Sequence, residues 1–442
     1  MDTSEPISLL SPIGYHTGSC GYCKGYSSSG SYYVKAKSIS AADYQSLLHR
    51  GWRRSGNLLY VPDARHSCCP HHTLRLPVKK YKASRDHRQT LNRWNRFILG
   101  EEYEKEAARL QPKSKHSRDK SKQHQGFDLV YTIHATEYAS LPETPEPSHR
   151  FEVTLESNTF TEVKYLLYEQ YQRHVHQEEP SEISRDGFIR FLCTSPLKAP
   201  STSHPASHSG DQHSLASKPA QRLGSYHACY WVDGRLIALG VLDFLPQGIS
   251  SVYFLYHPDF SKWSLGKVGA LREIAMTLEE GLEYYYMGYI IWSCDKMRYK
   301  ADYKPQEVMM WRTGGWREMA DAQGIKDAET QQAKIGNVEG KKGFDSPILA
   351  CEALEEGPLS LFEMDFPGMM TADEVQEKVD MGKIHVRLPY QNQRLVVDAE
   401  DLATWESSDM LDRSSIKGII GEMAALVGPE VAKNMVVDFT AG

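Results

Sequence analysis

The sequence predicts a mixed α/β (α+β) protein: a twisted mixed sheet crossed by a helix, behind an N-terminal cysteine-rich domain that binds a metal or cluster. Three observations carry this expectation. Residues 226–232 and 236–243 are apolar runs joined by Asp233-Gly234-Arg235, and an Asp-Gly pair tolerates the positive φ angles of a tight hairpin. A third apolar run, a helical stretch and a fourth run follow between 249 and 292. Far upstream, Cys20, Cys23, Cys68 and Cys69 form two tight pairs.

The chain has 442 residues, room for roughly two to four domains. Charged residues make up 24% and the formal net charge is −6, which excludes a surface that is basic all over. A polyanion would be held only by a local basic patch. No basic start followed by an apolar run precedes the first cysteine, and no apolar segment reaches the ~20 residues of a membrane span. A cytoplasmic or also nuclear chain without a membrane partner is expected, with reduced thiols that favour metal over disulfides.

The N-terminal domain is expected over 1–100. Its CxxC turn, Cys20-Gly-Tyr-Cys23, directs two sulfurs at one ion, and Cys68-Cys69 followed by Pro70 supplies two more. Four thiolates suit a structural Zn²⁺ or an iron–sulfur cluster, and His71 or His72 is an alternative ligand. Residues 81–110 read as a helix with Leu91, Trp94, Phe97 and Ile98 on one side. Lys79, Lys80, Lys82, Arg85, Arg88, Arg93 and Arg96 put positive charge on its start and first turns. A basic flexible linker is expected over 101–126, and Lys113 to Lys122 in it is a second basic stretch. A Pro- and Glu-rich loop follows at 141–148.

The core is expected over 127–325, interrupted by a Ser-, His- and Pro-rich insertion at 195–222. Residues 127–132 and 151–155 alternate like strands. Thr159 and Glu162 read as a capping box for a helix toward His176, and 186–193 as a short helix. After the 233–235 hairpin, Pro246 to Gly248 turn the chain into a strand at 249–256. Residues 257–263 read as a loop. Ser264 reads as the cap of a helix with Val268, Leu271, Ala275, Leu278 and Leu282 on one face. A strand at 284–292 completes hairpin, strand, helix, strand, which is the core of the GNAT acyltransferase fold. Residues 326–442 form a C-terminal extension in which 384–402 and 416–435 read as folded. Cys193, Cys229 and Cys351 read as core or surface thiols, and Cys294 as a weak nucleophile candidate.

Several motifs resemble the eukaryotic arginyl-tRNA–protein transferases. They are Cys20-Gly-Tyr-Cys23, Cys-Cys-Pro-His-His-Thr-Leu-Arg-Leu at 68–76, Gly-Val-Leu-Asp-Phe-Leu-Pro at 240–246 and Ser-Ser-Val-Tyr-Phe at 250–254. Ser-Leu-Gly at 264–266, Tyr-Tyr-Met-Gly-Tyr at 285–289 and Asp-Lys-Met-Arg-Tyr-Lys at 295–300 continue in the same order. The resemblance covers about 10–100 and 125–325. It implies Arg-tRNA as donor and acceptors starting with Asp, Glu or oxidised Cys. The product is an N-terminal Arg that marks proteins for ubiquitin-dependent degradation. An iron–sulfur cluster or zinc at Cys20, Cys23, Cys68 and Cys69 is implied, a monomer is expected, and no CoA.

The chemistry is aminolysis of an activated ester. An α-amine of pKa about 7.7–8.0 is partly neutral at pH 7, so holding amine and ester together matters more than a strong base. Asp295 is the first choice for orienting the amine, taking its proton or pairing with the transferred guanidinium. Tyr253, Tyr256, Ser264, Gly266 and Tyr289 are expected around the substrate. Lys296, Arg298 and Lys300 are candidates for an acidic N-terminal side chain, and the basic residues from Lys79 to Arg96 for tRNA. A CoA-dependent acetyltransferase is the first rival, but Lys262-Trp-Ser-Leu-Gly266-Lys-Val-Gly269 departs from a pyrophosphate-binding loop. A non-catalytic RNA-binding protein with a zinc module is the second.

Overall fold

The computed structural model describes residues 7–26, 28–110, 127–197, 222–311, 314–319, 360–364, 366–391 and 393–440. The basic stretch at 113–122, most of the insertion at 195–222 and Cys351 lie outside the described residues.

The chain opens with β1 (Ser8–Gly18), β2 (Ser29–Ser38), α1 (Ala41–His49), β3 (Arg53–Ser55), β4 (Leu58–Pro62) and β5 (His72–Pro77). The long α2 (Arg85–Leu110) and short α3 (Leu129–His134) lead into β6 (Phe151–Ser157) and α4 (Glu162–Tyr171). Then come β7 (Gly224–Val232), β8 (Arg235–Leu245), β9 (Gly248–Tyr256), α5 (Leu265–Glu279), β10 (Tyr284–Tyr286), β11 (Tyr289–Ile290) and α6 (Asp295–Arg298). The chain ends with β12 (Glu307–Met310), β13 (Gly315–Glu318), β14 (His385–Tyr390), β15 (Gln393–Asp398), α7 (Ile416–Val427) and β16 (Met435–Asp438).

These strands build two mixed sheets. The terminal sheet runs β15-β14-β16-β1-β2-β4-β3, with β16 parallel to both β1 and β14. The central sheet runs β13-β12-β5-β10-β9-β8-β7-β6, and β11 also pairs with β5. Only β9 and β10 are parallel neighbours in it, as a helical crossover through α5 requires. The expected boundaries at 100 and 326 therefore do not follow the sheets. The first and last strands of the chain share one sheet, and β5 from the N-terminal segment sits beside β10.

The central sheet is covered on both faces. Leu91, Trp94 and Ile98 of α2, Leu129 and Ile133 of α3, and Leu271 and Ile274 of α5 pack with Tyr230, Leu242 and Ile249. Tyr165 and Tyr168 of α4 join Phe188 against Leu239 and Leu255 on the other face. Gly269 lets α5 approach the sheet, since a Cβ there would stand 2.3 Å from the Phe254 ring. The terminal sheet packs through Leu10, Tyr32 and Val34 on α1 and α7, and this core takes in Leu245 and Tyr286 of the central sheet.

Local signals decide where the elements begin. Asp233 and Gly234 both have positive φ, 50° and 76°, so the Asp-Gly turn is a hairpin of the expected kind. Several expectations are corrected. Residues 129–134 are helical because the Asp128 side chain accepts from Tyr131 N, the bond of an N-cap. The cap of α4 is Thr161, which accepts from Lys164 N, and not Thr159. Helix α2 starts at Arg85 and breaks at Gly100, whose φ is 80°, and a second helical stretch covers 101–110, the first part of the expected linker. The loop at 257–263 contains a 3-10 helix, Pro258–Trp263. The strand expected at 284–292 is broken at Gly288, whose φ is 78°. Ser264 precedes α5 with a left-handed backbone and makes no side-chain cap bond.

Candidate active site and thiolate centre

The thiolate centre grows from two loops at the end of the terminal sheet. After β1 the chain turns back on itself, with Cys20 N donating to Gly25 O at 2.8 Å and Lys24 N to Cys20 O at 3.0 Å. The second loop follows β4 and is held by buried Asp63, whose Oδ1 accepts from Arg65 N and His66 N, each at 3.0 Å. Cys68 N donates to Ser28 O at 2.9 Å, which ties the two loops together.

The sulfurs of Cys20, Cys23, Cys68 and Cys69 all lie within 4.8 Å of one another, with Cys23 and Cys68 at 3.2 Å. A tetrahedral ion with Zn–S bonds of about 2.3 Å needs sulfurs roughly 3.8 Å apart. The donor set is compatible with a metal site. Bonds to the Gly25 backbone and the Cys68 thiol lower the Cys23 pKa, whereas burial raises those of Cys68 and Cys69, so the four sulfurs do not share one protonation state without a cation between them. Among the described residues these four form the one such group, and neither His71 nor His72 belongs to it.

The centre also touches the segment of the first-choice catalytic residue. Buried Cys20 and Cys69 pack with Ile291, Cys294 and Met297, and Ser293 Oγ lies 3.6 Å from Cys69 Sγ. Asp295 and Lys296 open α6 immediately after Cys294. Sequence spacing gave no sign of this, because the contact joins loops more than 200 residues apart.

A seam opens in the middle of the central sheet. Strands β9 and β10 pair from Gly248–Tyr284 to Ser250–Tyr286 and then part. Beyond that point a bulge falls between the pairs Val241–Tyr253 and Leu242–Ser251, a device that re-aims side chains. Ser251, Val252, Tyr253 and Phe254 are all part-exposed although β9 is an interior strand.

The expected substrate residues occupy different places. Tyr253 reaches toward α4, with its hydroxyl 3.4 Å from Gln172 Oε1 and its ring 5.0 Å from Phe191. Tyr256 packs edge-on to Tyr171 at 5.2 Å. Tyr289 is buried between the sheets, donating to Gly51 O at 2.7 Å, with Arg53 over its ring at 5.0 Å. Lys300 Nζ donates to Tyr289 O at 2.8 Å, and burial followed by Arg53 pushes its pKa down to about 7. Arg298 is exposed. Gly266 lies in the first turn of α5 with open space where a Cβ would be.

Lys79, Lys80, Lys82, Arg85, Arg88, Arg93 and Arg96 are all exposed. Arg93 Nη2 donates to Ser264 Oγ at 3.1 Å, and Lys267 pairs with Asp86 at 2.6 Å. These contacts join the start of α2 to the start of α5.

Sequence reasoning passed over Glu273. It sits on the sheet-facing side of α5, 1% exposed, and Tyr285 OH donates to its Oε2 at 2.5 Å. Burial pushes its carboxyl up to about 7, and the Tyr285 and Ser251 hydroxyls oppose that rise. Two charged residues, Arg272 and Glu273, inside the otherwise apolar stretch Leu271 to Met276 were the available signal.

Comparison with known proteins now bears on the site. Residues 18–89 match the family described as Arginine-tRNA-protein transferase, N terminus, and residues 163–310 match its C terminus. The chain belongs to the arginyl-tRNA–protein transferase family. Arginyl-tRNA–protein transferase 1 of Saccharomyces cerevisiae is 35% identical over 60% of this chain and 48% of its own. The chain thus spans about half the length of that relative. Arginyl-tRNA–protein transferase 2 of Arabidopsis thaliana is 26% identical over 79% of this chain and 81% of its own. An aspartate/glutamate leucyltransferase of Campylobacter jejuni is 40% identical over 19% of this chain and 35% of its own. The family's two matched segments carry the thiolate centre and the seam respectively. Among the described residues no helix is long and apolar enough to cross a membrane.

Proposed function

We propose that this chain transfers arginine from Arg-tRNA to the α-amine of proteins that begin with Asp, Glu or oxidised Cys. The product carries a new N-terminal Arg, a signal for ubiquitin-dependent degradation. Membership of the family supports the reaction type, and the printed name of the bacterial relative supports acidic acceptors. The seam between β9 and β10 is the observation that carries the reading. A parallel pair that parts in mid-sheet is the way a GNAT-like core admits an acyl donor and an amine from opposite sides. The cleft aligns amine and ester, a contribution of about 7–11 kcal/mol in favourable cases.

Asp295 orients the acceptor amine or pairs with the arginine guanidinium. Lys296 and exposed Arg298 remain the candidates for the acidic side chain, and part-exposed Tyr253, Tyr256, Ser264 and Gly266 for the substrates, whereas Tyr289 and Lys300 are taken up by buried contacts. The exposed basic side of α2 takes the tRNA backbone through several phosphate contacts, which makes binding sensitive to salt. The chain acts as a monomer in the cytoplasm or nucleus, without CoA.

At the thiolate centre, zinc and an iron–sulfur cluster are the two candidates. The mutual sulfur distances favour a single ion, because the ligands of a cluster sit on separate irons and stand further apart. A bound ion clamps the two loops and, through Cys69 and Cys20, steadies the segment from Ile291 to Met297.

The experiment compares transfer of labelled arginine from Arg-tRNA to two peptides that differ only in the first residue, Asp against Ala. Labelling of the Asp peptide alone is expected. Labelling of neither, with tRNA still bound, turns the assignment toward a non-catalytic RNA-binding protein.

A further inference from the structure

Glu273 is placed where the seam begins. Its helix crosses over the sheet, and its Oε1 stands 3.2 Å from where a Cβ on Gly240 of β8 would be. Tyr285, one residue before β10 ends, donates to its Oε2. The hydroxyl of Ser251, the first β9 residue beyond the last β9–β10 pair, also acts on the carboxyl and lowers its pKa. One carboxyl thus meets both strands at the point where they separate. Among the described residues, Glu273 Oε1 has no hydrogen-bond partner. A buried carboxyl left half-satisfied is unfavourable for stability by about 1–3 kcal/mol, so the position invites a functional explanation.

The surroundings allow it to hold a proton. The groups that act on it or feel its charge are Tyr230 of β7, Ser251 of β9, Tyr285 of β10, and Tyr299 and Tyr303 after α6. All are neutral hydroxyls at pH 7. Among the described residues no cation acts on the carboxylate, and burial raises its pKa to about 7. Ser251 is part-exposed, whereas Tyr285 is 2% exposed. Of the two residues, Ser251 is the one partly open to solvent.

We propose that Glu273 is a positioning residue that holds the acceptor amine's proton behind Ser251, at the seam between β9 and β10. The inference rests on the arginyl-transfer reading. The acceptor nitrogen attacks the ester carbonyl carbon, a C–N bond forms, and the C–O bond to the ribose breaks. An N–H proton passes to the Ser251 oxygen as the hydroxyl's own proton passes to Glu273. The same path returns a proton to the departing ribose oxygen. One proton moves in net from nitrogen to oxygen, and no oxidation or reduction occurs.

The test measures kcat/KM for an Asp-starting peptide at saturating Arg-tRNA, from about pH 5.5 to 8.5. In the unaltered protein two groups must lose protons, the free amine and Glu273. The logarithm of the rate should then fall below pH 7 with a slope of about two. Glu273→Gln is expected to show a slope of about one and a kcat lower by roughly 10²–10⁴-fold, with the Kd for Arg-tRNA unchanged. Ser251→Ala, at a part-exposed position, should also reduce the slope to about one. If Glu273→Gln fails to fold by thermal unfolding, Ser251→Ala decides. A slope of about two retained in both variants overturns the inference while leaving arginyl transfer standing. No transfer by the unaltered protein to the Asp peptide overturns the arginyl-transfer reading, and this inference with it.

Discussion

Arg54 of the terminal sheet grips Asp243 of the central sheet through two bonds, Nε to Oδ2 and Nη2 to Oδ1, both 2.6 Å long. The two side chains are 1% and 0% exposed. Arg54 also donates to Gly56 O at 3.1 Å and to Ser225 Oγ at 3.2 Å, so its buried charge is well partnered. This pair joins β3 to the hairpin that ends at the seam. Removing one partner leaves the other as an unpaired buried charge. Arg54→Ala or Asp243→Ala is expected to destabilise the fold by about 3–5 kcal/mol. The double variant Arg54→Met/Asp243→Leu should lose clearly less than the sum of the single losses. Urea unfolding of the three proteins checks this, and additive losses would show that the pair is not coupled.

The thiolate centre makes a separate demand. Cys20→Ser removes one of four converging sulfurs from a buried position. Bound metal, measured by elemental analysis of the purified protein, should fall to a small fraction of the wild-type content. Hydrogen exchange in residues 291–297 should speed up, because Cys20 and Cys69 pack against that segment. Unchanged metal content in Cys20→Ser would remove Cys20 from the ligand set.

Chemistry and tRNA binding should separate by mutation. Asp295→Ala is expected to lower turnover by at least about 10²-fold while tRNA affinity stays nearly constant. Arg88→Ala, on the exposed basic side of α2, should weaken tRNA binding and reduce the slope of log K against log salt by about one. Equal turnover in Asp295→Ala and wild type would refute the first role. An unchanged salt slope in Arg88→Ala would take that side chain off the tRNA.

Glu273 also predicts a dependence of stability on pH. Its folded pKa, about 7, lies above its ordinary value of 4.5. The native state therefore binds more protons than the unfolded state between those values. Stability falls as pH rises through that window and is level above it. The loss is on the order of 3 kcal/mol, at 1.36 kcal/mol per unit. Glu273→Gln escapes it, so at pH 8 the variant should resist urea better than wild type, with the gap closing toward pH 4.5. A gap independent of pH would mean that Glu273 does not titrate in this range.

The sequence by itself determined what depends on neighbours along the chain. Asp233-Gly234 fixed a hairpin, because few residue pairs accept two positive φ angles in succession. The apolar face of Val268, Leu271 and Ala275 fixed α5, and the two cysteine pairs announced the cluster of four sulfurs. Local reading failed where two local signals competed. Residues 127–132 alternate like a strand, yet the Asp128 cap bond makes 129–134 a helix. Only the tertiary structure decided the rest. Ser8 pairs with Met435 across almost the entire chain, and no periodicity encodes that partner. The contact of Cys69 with Ser293 joins two loops far apart in sequence, and Glu273 meets Tyr285 because α5 packs its buried face on the sheet. Backbone propensity acts over a few residues, whereas burial and charge act through space. The elements were therefore legible one at a time, and the site was not.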